Sequence, residues 1–299
     1  MSKFVEFSIS ICVLLCLTRL SITIEVCGTL GCLTVTEDEA QLLKKPAIMD
    51  GTGVPMNWTD PLDGWNLNVR LLHIANKRRL EYQRSKVPRL TELGYKISKI
   101  PQDILQVIKD EKIDEPHYDF CSEKDFKSIS CQKVNYKDQL IDKNNVITYK
   151  FGSRNRVSKM VENYVRPELE NWIQSKLAPS MLFYGIRRYT RGTKIFGHVD
   201  SLPDHLIAVI LQVDQKVDQD WPLILLDHND KHQEIILKPG QMLFYEGTTV
   251  PHGRPYPLDG DFFDNMFVGF TLENQEVKKI KEGVDEYVVN KALTYKDEF

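Results

Sequence analysis

Three residues of this chain have the types and the spacing of a metal site. His198-Val199-Asp200 sets an imidazole and a carboxylate two residues apart, and a second imidazole follows in Val250-Pro251-His252-Gly253-Arg254-Pro255. In a strand, residues i and i+2 point to one side, so His198 and Asp200 can grip one ion together. The third ligand must then come from a strand that returns beside the first. The intervening segment is long enough to turn back several times. Two imidazoles and a carboxylate are the facial set that binds Fe(II) and leaves three positions open for a co-substrate and dioxygen. On this reading His198, Asp200 and His252 are both the metal ligands and the catalytic centre. His205 is a rival ligand. Pro203 interrupts the strand between, and His205 opens the next apolar run, so it reads as a strand-entry residue near the pocket.

A lone His-x-Asp is a common triplet, and its frame is what gives it weight. Upstream stands Arg188-Tyr189-Thr190-Arg191-Gly192-Thr193-Lys194-Ile195-Phe196-Gly197. Downstream, Leu206 to Val213 is an apolar run of buried-strand character. Lys238-Pro239-Gly240-Gln241 supplies a turn, Met242 to Tyr245 another strand, and His252 follows. Met181 to Tyr189 opens the sheet structure, Trp221 to Leu226 and Gln233 to Leu237 make a hairpin around His228-Asn229-Asp230-Lys231, and Phe267 to Thr271 closes the sheet. His228 and His232 flank that turn and are expected to be exposed.

From about Tyr184 to Phe270 the chain resembles the catalytic domain of the prolyl 4-hydroxylase family of 2-oxoglutarate, Fe(II)-dependent dioxygenases. Tyr189, Gly192, His198, Asp200, Pro239-Gly240 and His252 fall where that pattern has them. The resemblance implies an α+β fold, a double-stranded β-helix (jelly-roll) core buttressed by N-terminal helices. It also implies Fe(II) and 2-oxoglutarate as cofactors, ascorbate as reductant, molecular oxygen as co-substrate and a proline-containing protein or peptide as substrate. A disulfide-isomerase-like partner belongs to the same picture. A lysine residue or a small molecule as substrate is the alternative, as is a catalytically impaired binding protein on the same scaffold.

One departure stands out. The family's Lys, about ten residues beyond the second His, binds the far carboxylate of 2-oxoglutarate. Here the matching stretch is Gly260-Asp261-Phe262-Phe263. Arg254 lies two residues past His252, on its face if that strand is regular, and a guanidinium can hold a carboxylate bidentately. Arg254 could equally pair with Asp259 or Asp261 at a rim. Tyr189 could donate its hydroxyl to the same carboxylate. Lys194 and Arg188 are the next cations in line.

The 299 residues suffice for one or two domains, and a net charge of −3 gives no bias towards nucleic acid. Residues 1–24 read as a signal peptide or N-terminal anchor: Lys3 precedes an apolar stretch, Ile9 to Leu17, too short to span a bilayer. The chain closes on Lys296-Asp297-Glu298-Phe299, which resembles an endoplasmic-reticulum retention signal. Asn57-Trp58-Thr59 is a glycosylation sequon. Together these predict a glycoprotein of the endoplasmic reticulum lumen. Cys12 and Cys16 lie in the leading segment. Cys27, Cys32, Cys121 and Cys131 remain, an even number that fits two disulfides in three connectivities, with the local pairs simplest.

Between these ends, residues 25–89 form an irregular and helical region, broken over 33–65 by Pro and Gly, with a helix from Asn66 to Lys86. Its Lys77-Arg78-Arg79 reads as a solvated face, with an acidic partner or a processing site as alternatives. Residues 90–180 form a support region: a strand near Lys96 to Ile100, a helix from Gln102 to Lys109, loops with short strands over 110–150, and a helix from Ser158 to Leu177 interrupted by Pro167. Residues 181–273 are the dioxygenase core, and 274–299 a charged tail.

Overall fold

The computed structural model describes residues 23–28, 31–36, 39, 67–117, 146–151, 156–193, 195–200, 202–273, 277, 279–280 and 282–283. The leading segment, the sequon, Cys121, Cys131, Lys194 and the Lys-Asp-Glu-Phe end lie outside the described residues. Among those described, no helix is long and apolar enough to cross a membrane.

The chain begins with a hairpin, β1 (Thr23–Gly28) and β2 (Gly31–Thr36), in which Cys27 stands directly opposite Cys32. This strand pair occupies the start of the stretch expected to be irregular. Helix α1 (Leu67–Lys86) follows, with Arg84 and Lys86 in the last turn, where cations suit the helix dipole. Its basic run is not a solvated face. Arg78 and Arg79 are buried, and Arg78 donates to Glu39 and to the carbonyl of Thr34, so the guanidinium docks the hairpin on the helix.

Next come β3 (Tyr95–Lys99), α2 (Gln102–Glu111), β4 (Lys112–His117), β5 (Val146–Phe151), α3 (Val157–Met160), a π-helical turn (Val161–Val165) and α4 (Arg166–Ile173). Pro167 sits in the first turn of α4, where its missing N–H costs no helical bond, so the helical run continues through it.

Eight strands then alternate between two antiparallel sheets: β6 (Leu177–Thr190), β7 (Ile195–His198), β8 (Ile207–Val217), β9 (Leu223–Leu226), β10 (His232–Ile235), β11 (Gln241–Tyr245), β12 (His252–Arg254) and β13 (Gly260–Leu272). The larger sheet has the order β3-β11-β8-β13-β6-β5-β4, and the smaller β10-β9-β12-β7. The chain thus leaves the large sheet after β6, β8 and β11 and returns to it each time, which is the double-stranded β-helix. β3, β4 and β5 extend the large sheet at its edges, so the support region and the barrel share one sheet.

β8 shows why its sequence is apolar without interruption. Ile207, Val209, Leu211 and Val213 face α2 and α4, packed with Ile104, Ile108, Leu169 and Ile173. Ala208 and Ile210 face inward with Leu225, Leu243 and Tyr245. A strand buried on both sides loses the usual alternation. Truncating Ile104 or Leu169 to Ala would cost about 2–5 kcal/mol on the outer side. The charged tail starts inside the fold: Val277 is buried against Val87, Leu202 and Leu206.

Candidate metal centre

β7 ends at His198 and β12 begins at His252, and the two residues are register partners. Antiparallel pairing therefore brings both imidazoles together, with ring centroids 4.5 Å apart. Asp200 lies just past the end of β7, not within a strand, yet its backbone N–H is held by the carbonyl of Gly247 at 2.8 Å. Its carboxylate sits between the rings, 3.7 Å from Nε2 of His198 through Oδ1 and 3.7 Å from Nε2 of His252 through Oδ2. One donor atom from each of the three lies within 4.8 Å of the others.

The surroundings of these donors suit a cation. Burial pushes the Asp200 carboxyl pKa up, against the pull of His205, His198, the Tyr245 hydroxyl and Arg187. Among the described residues, its Oδ2 is buried without a hydrogen-bond partner. Burial lowers the His252 pKa to about 4, so the ring is neutral at ordinary pH. Its Nδ1 contacts the carbonyl of Val250 at 2.9 Å, and that carbonyl can only accept. The proton therefore sits on Nδ1, leaving the Nε2 lone pair for a metal. Gly247 makes room: a Cβ there would stand 2.4 Å from Asp200 Oδ2.

Arg254 is 1% exposed and lies on the strand of His252. Its guanidinium is 4.6 Å from the ring of Trp221 and 4.6 Å from that of Phe263, two rings that pack edge-on with centroids 5.2 Å apart. Nη1 donates to the carbonyl of Trp221, while Nη2 is buried with no hydrogen-bond partner among the described residues. Burial lowers its pKa to about 10, opposed by the phenols of Tyr189 and Tyr245, so it stays charged at neutral pH. Tyr245 touches the His252 ring, with centroids 4.5 Å apart, so the same phenol lies against a triad residue and acts on the charge of Arg254. Tyr189 packs on Trp221, with centroids 5.4 Å apart.

The rim pairing is absent: Asp259 pairs with Arg191, and Asp261 with Lys216 and Arg191. Of the other cations in line, Arg188 is bound to Asp264 through two contacts of 2.7 Å. Phe263, on β13, walls the guanidinium that arrives from β12. Trp221 and Phe263 were not legible as site residues, because nothing in a lone aromatic announces the cation it will meet.

His205 stays outside the ligand set. Its ring packs 5.1 Å from that of Phe267 and against Gly269, where a Cβ would meet Cδ2 at 2.4 Å. His228 is not exposed; it is buried, with Nδ1 3.0 Å from the carbonyl of Thr91 and Nε2 3.7 Å from Glu246. Its partners Thr91, Leu93, Glu246 and Thr249 are distant in sequence, so the local sequence does not reveal the burial. His232 is exposed, as expected.

No protein-family model matches the chain, and no curated protein matches it. Solved structures of prolyl hydroxylases and 2-oxoglutarate, Fe(II) oxygenases are similar to it. A Pseudomonas putida prolyl-4-hydroxylase shares 11% identity over 61% of this chain and 94% of its own, with a TM-score of 0.42. A viral collagen prolyl hydroxylase from Paramecium Bursaria Chlorella virus-1, in complex with 2-oxoglutarate, shares 11% over 60% and 97%, at 0.40. A Trichoplax adhaerens prolyl hydroxylase bound to a hypoxia inducible factor peptide shares 10% over 74% and 98%, at 0.43. At such identities and scores, the chemistry of this site rests on its own residues.

Proposed function

We propose that this chain is an Fe(II)- and 2-oxoglutarate-dependent oxygenase that hydroxylates a protein residue, with peptidyl-proline as the favoured substrate. The observation that carries the reading is the pairing, on one short strand, of a metal donor with an unpaired buried cation. His252 and Arg254 are two residues apart, about 7 Å along a strand. That spacing suits a short dicarboxylate that meets the metal at one end and a guanidinium at the other.

His198, Asp200 and His252 would hold the iron. Bound there, iron supplies the redox chemistry by which dioxygen and 2-oxoglutarate become succinate, carbon dioxide and one hydroxyl group on the substrate. The chain's own residues bind and orient. Arg254 takes the distal carboxylate through Nη2, and Tyr189 offers its hydroxyl beside it. Trp221 and Phe263 exclude water from that ion pair, which strengthens it. Asp200 brings the negative charge that makes the pocket select a divalent cation.

Proline as substrate, ascorbate as reductant and the endoplasmic reticulum as location remain parts of this proposal drawn from the sequence. The test is succinate release by the purified chain with Fe(II), 2-oxoglutarate and oxygen, with and without a proline-rich peptide. Peptide-stimulated succinate with a hydroxylated prolyl product is expected. Release stimulated only by a lysine-containing peptide would move the substrate, and no 2-oxoglutarate turnover with any acceptor would favour a binding protein.

A further inference from the structure

Gln83 reaches the candidate metal centre from a helix more than a hundred residues upstream of it. The side chain is fully buried, near the end of α1. Its Nε2 donates to the carbonyl of Thr248 at 2.6 Å and to that of Asp200 at 3.2 Å. Its Oε1 is buried with no hydrogen-bond partner among the described residues. The amide orientation is fixed by chemistry, since a flipped amide would set an oxygen against two carbonyl oxygens.

Both carbonyls belong to segments that carry metal donors. One is that of Asp200 itself. The other lies in the turn before His252, where the N–H groups of Thr249 and Val250 donate to the carbonyl of Glu246. The carbonyl of Val250 in turn fixes the Nδ1 proton of His252. Gly247, in the same turn, accepts from the N–H of Asp200. The neighbouring Arg84 adds a bond to the carbonyl of Thr249 at 2.9 Å. The Glu246 carboxylate accepts the N–H groups of Leu90 and Thr91, so the segment after α1 holds the turn as well.

We propose that Gln83 is a positioning residue for the metal centre: its amide ties the backbone of Asp200 to the turn that sets His252, so that docking of α1 and metal binding stabilise each other. The inference rests on the reading of His198, Asp200 and His252 as metal ligands. Two consequences follow from linkage. Loss of the amide lowers metal affinity, in the roughly 10–100-fold range seen when a partner of a metal ligand is removed. The coupling is reciprocal, so metal binding must tighten α1 against the barrel by the same factor.

The experiment uses the full chain and Co(II) under anaerobic conditions, with affinity, the visible spectrum and amide exchange of 67–86 as readouts. Gln83→Met keeps the shape and removes both donors. It is expected to weaken Co(II) binding about 10–100-fold, alter the visible bands and abolish the slowing of exchange that Co(II) produces in the wild type. Arg78→Met is the control on the same helix. It breaks the hairpin contact and should lower stability while leaving Co(II) affinity within about threefold. If Gln83→Met does not fold, Gln83→Asn keeps the amide with a shorter reach and should show a smaller loss of affinity. Wild-type affinity and spectrum in a folded Gln83 variant would overturn the inference alone, as would an equal loss in Arg78→Met. Failure of the wild type to bind Co(II) would overturn the metal reading and this inference with it.

Discussion

Two arginines of this protein each lie against two aromatic rings, and among the described residues only one of them has a carboxylate. Arg188, on β6, has its guanidinium 4.2 Å from the ring of Phe262 and 5.2 Å from that of Tyr149. It grips Asp264 with two hydrogen bonds of 2.7 Å, and that contact raises its pKa. Arg254, on β12, has the same kind of walls and no acid; burial lowers its pKa to about 10. A buried charge without a partner is costly by several kcal/mol. The outer pair is complete in itself, whereas the inner one is complete only when an anion enters. The two sheets differ in the same way. The large sheet's helix-facing side is closed by apolar packing, while the smaller sheet's strands bring Asp200 Oδ2 and Arg254 Nη2, which have no hydrogen-bond partner among the described residues.

The sharpest break of this comparison is at the metal. His252→Ala should abolish Fe(II) or Co(II) binding and with it succinate formation, a loss beyond the roughly 10–100-fold expected for an outer partner; anaerobic titration reads it. Next is the arginine pair itself. Arg254→Met should weaken 2-oxoglutarate by about 2–5 kcal/mol, seen as a raised Kd and KM, with no loss of thermal stability, because it removes a buried unpaired charge. Arg188→Met should do the reverse. The buried Asp264 loses both of its hydrogen bonds from Arg188, stability falls by about 2–4 kcal/mol, and 2-oxoglutarate affinity changes little. If both variants lose the same property, the two arginines do not differ as described.

A smaller effect follows from the lowered pKa of Arg254. Its charge in the folded state persists up to about pH 10, whereas unfolded arginine keeps its proton higher. In that window the unfolded chain binds more protons, so this group makes stability rise with pH, while 2-oxoglutarate affinity falls as the charge is lost. Affinity measured from pH 7 to 10.5 should therefore be flat and then drop at the alkaline end. A fall centred near pH 7 would assign the carboxylate to another group. The smallest effect is expected at His205: His205→Ala should keep the metal, and loss of iron there would put His205 in the ligand set.

The ligands were legible because strand periodicity and one return strand suffice to bring them together. The jelly roll was legible through the family resemblance that Tyr189, Gly192, Pro239-Gly240 and the His-Asp-His set carry. Arg254 was legible as a candidate only, since its rivals Asp259 and Asp261 are nearer in sequence than its real neighbours. Trp221 reaches it from the segment before β9 and Phe263 from β13, and Gln83 reaches Asp200 across more than a hundred residues. Such contacts leave no local pattern. Arg78, Arg79 and His228 misled for the same reason: a polar residue reads as exposed until its distant partner is known. Asp200 showed the converse, with the two-residue relation intact although the strand stops at His198.

The central claim, that a metal and an anion share one pocket, is tested most directly by anaerobic titration of Fe(II) and then 2-oxoglutarate into wild type and Arg254→Met. The visible absorption of the iron–2-oxoglutarate complex is the signal. Saturable absorption in the wild type, with a 2-oxoglutarate Kd raised by at least about tenfold in Arg254→Met and iron affinity unchanged, is the predicted result. Equal 2-oxoglutarate affinity in both proteins, or iron binding with no response to 2-oxoglutarate, would contradict it.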